Sequence, residues 1–156
     1  MESELKQLSG QKVSEVELVY KSNVKASQRP RITCSKDSAD LLRTLWNENN
    51  IELLEQFKIL LMNRGNKVLG YVELSSGGVT GTVADPKLIF MAALKSNACA
   101  IIISHNHPSG NLKPSAADEQ LTQKIKSAGQ LLDISLLDHI IMTTEGYYSF
   151  ADEGLL

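Results

Sequence analysis

Two histidines separated by one residue, His105 and His107, stand directly after the apolar run of residues 99–103. In extended chain, side chains two apart point to the same side, and the strand rise puts their α-carbons about 6.6 Å apart. Imidazoles at that spacing can converge on one zinc ion, whose Zn–N bonds are about 2.0–2.1 Å. Asn106, between them, then faces the other way, toward a supporting or loop-holding role. A further ligand type follows in Asp118, beyond Pro108, Gly110 and Pro114. Ser115, Asp118, Leu121 and Ile125 are spaced three, three and four apart and share one helical face. The Asp118 carboxylate is therefore expected on an inward stripe close to a helix N-terminus. An unpaired charge there is costly, and the helix end and a cation both compensate it.

Each of these residues also has a plainer reading. A His-x-His pair alone is a weak metal signal. The run from Ser115 to Asp118 after Pro114 is also a capping box, and the Ser115 hydroxyl can serve both roles. His139 follows Asp138 near a strand, where a structural or ligand-supporting role is expected. Glu55 opens the run EQFKILL in register with Phe57, Ile59 and Leu61, an acid on an otherwise apolar face. It is either the water-facing start of a strand or a group of the site, and Glu48, Glu52 and Glu73 compete with it. Trp46 lies on a helical apolar stripe and reads as core rather than as a ligand platform.

The elements that must carry these residues follow from periodicity. Residues 1–12 form a polar arm. Residues 13–20 (VSEVELVY) alternate, with Val16, Leu18 and Tyr20 on one side, which predicts an edge strand able to pair with a second copy of the chain. Residues 21–36 are a loop whose Lys21, Lys25, Arg29 and Arg31 read as solvated surface. A helix is expected from Asp37, capped by Asp37 or Ser38, with Leu41, Leu42, Leu45 and Trp46 as its stripe. Strands over 57–62 and 68–74 are joined by the turn NRGNK. The loop SSGGVTGTV contains Gly77, Gly78 and Gly81 but no phosphate-cradling pattern. Asp85-Pro86 predicts a helix start, with Ile89, Phe90, Ala93 and Leu94 facing inward and an end near Asn97. Residues 99–104 read as an interior strand and 115–128 as a helix. Further strands are expected over 131–137, 140–142 and 147–150. Helix and strand interleave throughout, so a layered α/β domain is expected.

The bulk numbers narrow the function classes. Apolar residues make up 42% and charged residues 22% of the 156 residues, which suits a soluble globular domain. Lys and Arg number 16 against 18 Asp and Glu, a net charge of −2, so no electrostatic footprint for nucleic acid is visible. No run is long or apolar enough for a membrane span, and residues 1–10 lack the basic and apolar parts of a secretory signal. The two cysteines are Cys34 and Cys99, the latter reading as a small buried hydrophobe, and a reducing cytoplasm is expected.

HNHPSGNLKPSAAD, with ALKSNACAIII before it and LLDHIIMTTEGYYSF after it, resembles the bacterial RadC-like family. That family belongs to the JAB/MPN group of metalloprotease-like domains, whose His-x-His, seven residues, Ser-x-x-Asp pattern falls on His105, His107, Ser115 and Asp118. The resemblance covers residues 35–156 and implies a single α/β/α domain with a mixed central sheet there, with residues 1–34 as an N-terminal arm and edge strand outside it. It implies that His105, His107 and Asp118 bind Zn2+, leaving the fourth position open. The upstream glutamate of the pattern best matches Glu55, implied to be the general base, and Ser115 is implied to hold the developing oxyanion. Hydrolysis of an amide bond in a peptide or protein is therefore the leading expectation. A DNA-associated repair role or a metal-dependent nuclease is the alternative, implied by the family's name and not supported by charge. A non-catalytic structural zinc is the third reading, and three ligands rather than four argue against it.

Overall fold

The computed structural model describes residues 7–8, 11–17, 19–77 and 84–156. In chain order its elements are the short pair β1 (Gln7–Leu8) and β2 (Gln11–Lys12), then α1 (Ser35–Leu45), β3 (Gln56–Met62) and β4 (Val68–Ser76). There follow α2 (Pro86–Lys95), β5 (Ala100–Asn106), α3 (Ala116–Leu131), β6 (Ser135–Met142) and β7 (Tyr147–Ser149). The main sheet has the order β4-β3-β5-β6-β7. Its β5–β6 pair is parallel and its other pairs are antiparallel, so the sheet is mixed, as expected.

The apolar run predicted as an interior strand lies at the centre of the sheet, and every residue of β5 is buried. Such a strand needs cover on both faces, and the helices supply it in two layers. Leu42, Trp46 and Ala39 pack with Leu60, Met62, Ile102, Ile140 and Met142 on one face. Ile89, Phe90, Ala93 and Ile125 pack with Ile59, Leu61, Ile101 and Ile103 on the other. Each such aliphatic side chain contributes about 1.5–3 kcal/mol on burial. The result is an α/β/α domain with α1 on one side and α2 and α3 on the other. Because side chains alternate along β5, His105 shares the α3 face with Ile101 and Ile103, while Asn106 shares the α1 face with Ile102.

The crossover from β5 through α3 to the parallel β6 brings the C-terminal ends of both strands beside the start of α3. That position favours polar chemistry, because the first turn of a helix leaves amide N–H groups unpaired. Asp85 caps α2 by accepting from the Lys87 N–H, with Pro86 at the first helical position, as expected. Ser115 caps α3 in a full capping box with Asp118.

Several expectations are corrected. Residues 13–17 and 19–20 form no strand, and Val13, Val16, Val19 and Tyr20 are exposed. Alternation alone does not hold a strand without a partner, and Tyr20 instead donates its hydroxyl to the Leu69 carbonyl at 2.8 Å. The edge expected to pair with a second copy is therefore absent there, and Leu18 lies outside the described residues. Cys34, not Asp37 or Ser38, is the N-cap of α1; Asp37 sits one turn in and reaches back to the Thr33 N–H at 2.8 Å. Leu94 is exposed rather than inward. The two strands expected over 131–137 and 140–142 are one strand, β6, with residues 131–132 closing α3 instead. A register shift opposite Ile101 and Ile102 explains the broken periodicity there. Gly78 and Gly81 lie outside the described residues.

Candidate metal centre

His105 is the second-last residue of β5 and is 2% exposed, held between Phe57 of the paired strand and the α3 face. His107 follows the strand, where the turn closed by the Gly110 N–H on the His107 carbonyl redirects the chain. Gly110 has φ +82°, a conformation that suits glycine. Asp118 comes from the first turn of α3. The Nε2 atoms of His105 and His107 are 3.0 Å apart. Asp118 Oδ1 is 3.3 Å from His105 Nε2, and its Oδ2 is 3.5 Å from His107 Nε2.

Those separations decide whether the group can hold an ion. Ligands about 2.0–2.1 Å from a tetrahedral zinc are about 3.3–3.4 Å from one another, and the three donors match that spacing. The two histidines and the carboxylate are also the donor types zinc takes, and all three potential ligand atoms lie within 4.8 Å of one another. His107 Nδ1 faces the Asn111 carbonyl. A carbonyl only accepts, so Nδ1 carries the hydrogen and the Nε2 of neutral His107 is a free lone pair. Asp118 is held in place by the Ser115 N–H, which donates to Oδ2 at 2.8 Å. Three electron-rich atoms at this range repel unless a cation or proton lies among them.

The electrostatics reflect that crowding. The hydrogen bond to Asp118 raises the His107 pKa above its usual value, against the effect of burial. Burial pushes the Asp118 carboxyl up, but the close His105 and His107 imidazoles and the Ser115 N–H outweigh it and hold the carboxyl well below the usual range.

Glu55 directly precedes β3, half-buried, and lines an open groove of about 280 Å³ with His107, Ser109, Lys113 and Ser115. It is not among the three clustered donors. Its position is set by Asn106, which faces away from the histidines as expected. The Asn106 amide donates to the carbonyls of Ile51 and Leu54, both at 2.8 Å, and its Oδ1 accepts from the Gln56 N–H at 2.7 Å. The competing acids are engaged elsewhere. Glu73 pairs with the buried Lys58 at 2.7 Å. Glu52 accepts from Thr144 at 3.1 Å, and Glu48 lines a separate cavity with Trp46. Trp46 is 5% exposed and part of the core, with the Lys58 ammonium 5.0 Å from its ring centroid.

The Ser115 oxygen accepts the Asp118 N–H at 3.1 Å, which leaves its own hydrogen free to donate into the groove. His139 is fully buried against the site: its Nε2 is 2.8 Å from His105 Nδ1, and its Nδ1 is 2.7 Å from the Thr122 hydroxyl. Burial pushes its pKa well below that of free histidine. Thr122 is the one member of this group that reading the sequence missed. Its spacing of four from Asp118, on the inward face of the same helix, was the available signal. Lys21, Lys25 and Arg31 are exposed, as expected of solvated surface, whereas Arg29 is half-buried and donates to the Ser22 hydroxyl at 3.1 Å.

A mixed-sheet α/β/α domain with a two-histidine, one-carboxylate cluster at the end of its central strand defines the class as a JAB/MPN-like domain. Residues 32–155 match the model of the RadC-like JAB domain, and the chain belongs to that family. A UPF0758 protein of Flavobacterium johnsoniae is 46% identical over 125 residues, covering 80% of this chain and 53% of the relative. One of Porphyromonas gingivalis is 42% identical over 134 residues, covering 85% and 59%. One of Escherichia coli is 41% identical over 102 residues, covering 65% and 64%. The chain thus matches between about half and just under two thirds of the length of these curated relatives.

Proposed function

We propose that this domain is a zinc-dependent hydrolase of amide bonds that acts on a peptide or protein. The observation that carries the reading is the convergence of His105 Nε2, His107 Nε2 and the Asp118 carboxylate at 3.0–3.5 Å. Glu55 and Ser115 line one groove beside them. His105, His107 and Asp118 would hold the ion, and three ligands leave a position free for chemistry. When bound, zinc polarises a carbonyl and makes water acidic enough to attack near neutral pH. Glu55 takes the proton released on attack and hands it to the departing amine, the usual acid–base sequence. The Ser115 hydroxyl donates to the oxygen on which negative charge develops. A donor in that role is worth about 2.7–4 kcal/mol.

Protein is favoured over nucleic acid as the substrate because, among the described residues, Lys113 is the one lysine or arginine lining the groove. Binding a phosphate backbone draws on several cations at once, and the chain's net charge is −2. A reducing compartment such as the cytoplasm suits Cys34 and Cys99, both free thiols. Among the described residues no helix is long and apolar enough to cross a membrane. The test is metal analysis of the purified chain followed by cleavage assays on peptide and isopeptide libraries, with and without chelator. Cleavage that stops on chelation and returns with zinc is expected. Undiminished cleavage after complete metal removal overturns the reading.

A further inference from the structure

Which nitrogen of His105 carries its proton is settled by a chain of hydrogen bonds that begins two residues away in space. The Thr122 hydroxyl has a single hydrogen. Its oxygen lies 2.7 Å from the backbone carbonyl of Asp118, which can only accept, so the hydrogen is committed there. The same oxygen lies 2.7 Å from His139 Nδ1 and must accept from it. A neutral imidazole has one N–H, and with it on Nδ1 the His139 Nε2 is an acceptor. That atom is 2.8 Å from His105 Nδ1, which therefore donates. His139 is held neutral by its surroundings: it is completely buried, stacked on Phe150 at 4.5 Å between centroids and tilted against Phe57 at 6.3 Å.

We propose that His139 is a positioning residue which, with Thr122 behind it, fixes His105 as the tautomer protonated on Nδ1 and keeps Nε2 a bare lone pair turned toward His107 and Asp118. The opposite tautomer would set an N–H of His105 at 3.0 Å from His107 Nε2, inside the space where the three donors converge. The consequence for metal affinity rests on the zinc reading above; the tautomer itself does not.

Long-range proton–nitrogen NMR on the 15N-labelled, metal-free chain, at a pH above the imidazole range, identifies the protonated nitrogen of each ring. Both His105 and His139 are expected to carry their hydrogen on Nδ1. Thr122→Val keeps the volume and removes the acceptor behind His139. It is expected to move His105 to a mixture of tautomers and to weaken zinc binding about 10–100-fold, the range for losing a group that orients a metal ligand. Competition with a chromophoric chelator reads that loss. His139→Gln retains an acceptor for His105 and an amide donor for Thr122, and is expected to keep the His105 tautomer. A wild-type His105 protonated on Nε2 overturns the inference, and so does Thr122→Val with wild-type tautomer and affinity. A wild-type chain that shows the Nδ1 tautomer but binds no zinc would overturn the zinc reading and leave this one standing.

Discussion

The backbone N–H of Gln56 donates to the side chain of Asn106 across 2.7 Å, so the residue between the two histidines also holds the chain next to Glu55. The same side chain ties down the carbonyls of Ile51 and Leu54. Asn106 is completely buried, so none of these bonds has water as a substitute. The end of β5 thus directs His105 to one sheet face, toward His107 and Asp118, and the support of the chain beside Glu55 to the other.

Asn106→Asp is isosteric and keeps the acceptor for Gln56, but it sets a carboxylate against two carbonyls. Stability is expected to fall by about 2–3 kcal/mol, the cost of leaving buried polar groups unpaired. Bound zinc should stay near stoichiometric while kcat falls about 100-fold, the effect of a small displacement of a reacting group. Denaturant titration, metal analysis and steady-state kinetics check the three parts. Wild-type kcat in a folded, zinc-loaded variant would show that Glu55 does not depend on this support.

The roles of His107 and Glu55 separate in metal content. His107→Ala removes one of the three clustered donors, and bound zinc is expected to drop far below stoichiometric. Glu55→Gln leaves the three clustered donors intact and should retain zinc while losing about 10²–10⁴-fold in rate, the usual worth of a general base. Atomic absorption on both proteins and cleavage kinetics on the second provide the check. Loss of zinc from the glutamine variant would recast Glu55 as a ligand.

How far the sequence carried the placement of these residues depended on whether a residue is positioned locally. His105, His107, Ser115 and Asp118 were legible because each is placed by one strand end or one helix start. The outward turn of Asn106 followed from alternation along β5. Glu55 remained one of four acids, because only the pairing of β3 with β4 and β5 takes Glu73 to Lys58 and puts Glu55 beside the groove. The link from His139 to His105 needs the parallel register of β5 and β6, which neither segment encodes alone. The predicted strand over residues 13–20 failed for the converse reason: its alternation was real, but among the described residues no strand pairs with it, and Tyr20 is held by a side-chain bond to the Leu69 carbonyl instead.

The metal-free and zinc-bound chains are expected to respond to pH in opposite senses. His107 has a raised pKa in the fold, so the stability it contributes is present below its unfolded pKa and is lost as pH rises through the folded one. Asp118 has a lowered pKa, so its contribution is present above the ordinary carboxyl range and is lost only in strong acid. The metal-free site is therefore most stabilising between about pH 4 and 6.5, the unfolded values of the two groups. Zinc competes with the His107 proton, so its affinity should rise as pH increases through the raised value. Melting curves at mildly acidic and mildly alkaline pH, with chelator or with excess zinc, check this. The increase in Tm produced by zinc should grow with pH, and a zinc effect that shrinks with rising pH would contradict the assignment.

Gly129 provides a test of α3 as the arm that sets Asp118. It lies in the last turns of that helix, and a β-carbon built on it would stand 2.2 Å from the Ile134 carbonyl oxygen, too close for any real contact. The opposing segment cannot easily retreat, because the Ile134 N–H donates to the Gly129 carbonyl at 2.8 Å and β6 begins one residue later. Helix propensity alone would make Gly129→Ala stabilising by about 1 kcal/mol. Overpacking of this kind costs about 1–3 kcal/mol, so the two effects differ in sign. A net loss of stability is expected in urea unfolding, together with weaker zinc binding if the helix yields by shifting along its length toward Asp118. Gain of stability in this variant would mean that the helix and the start of β6 are held less tightly than their hydrogen bonding indicates.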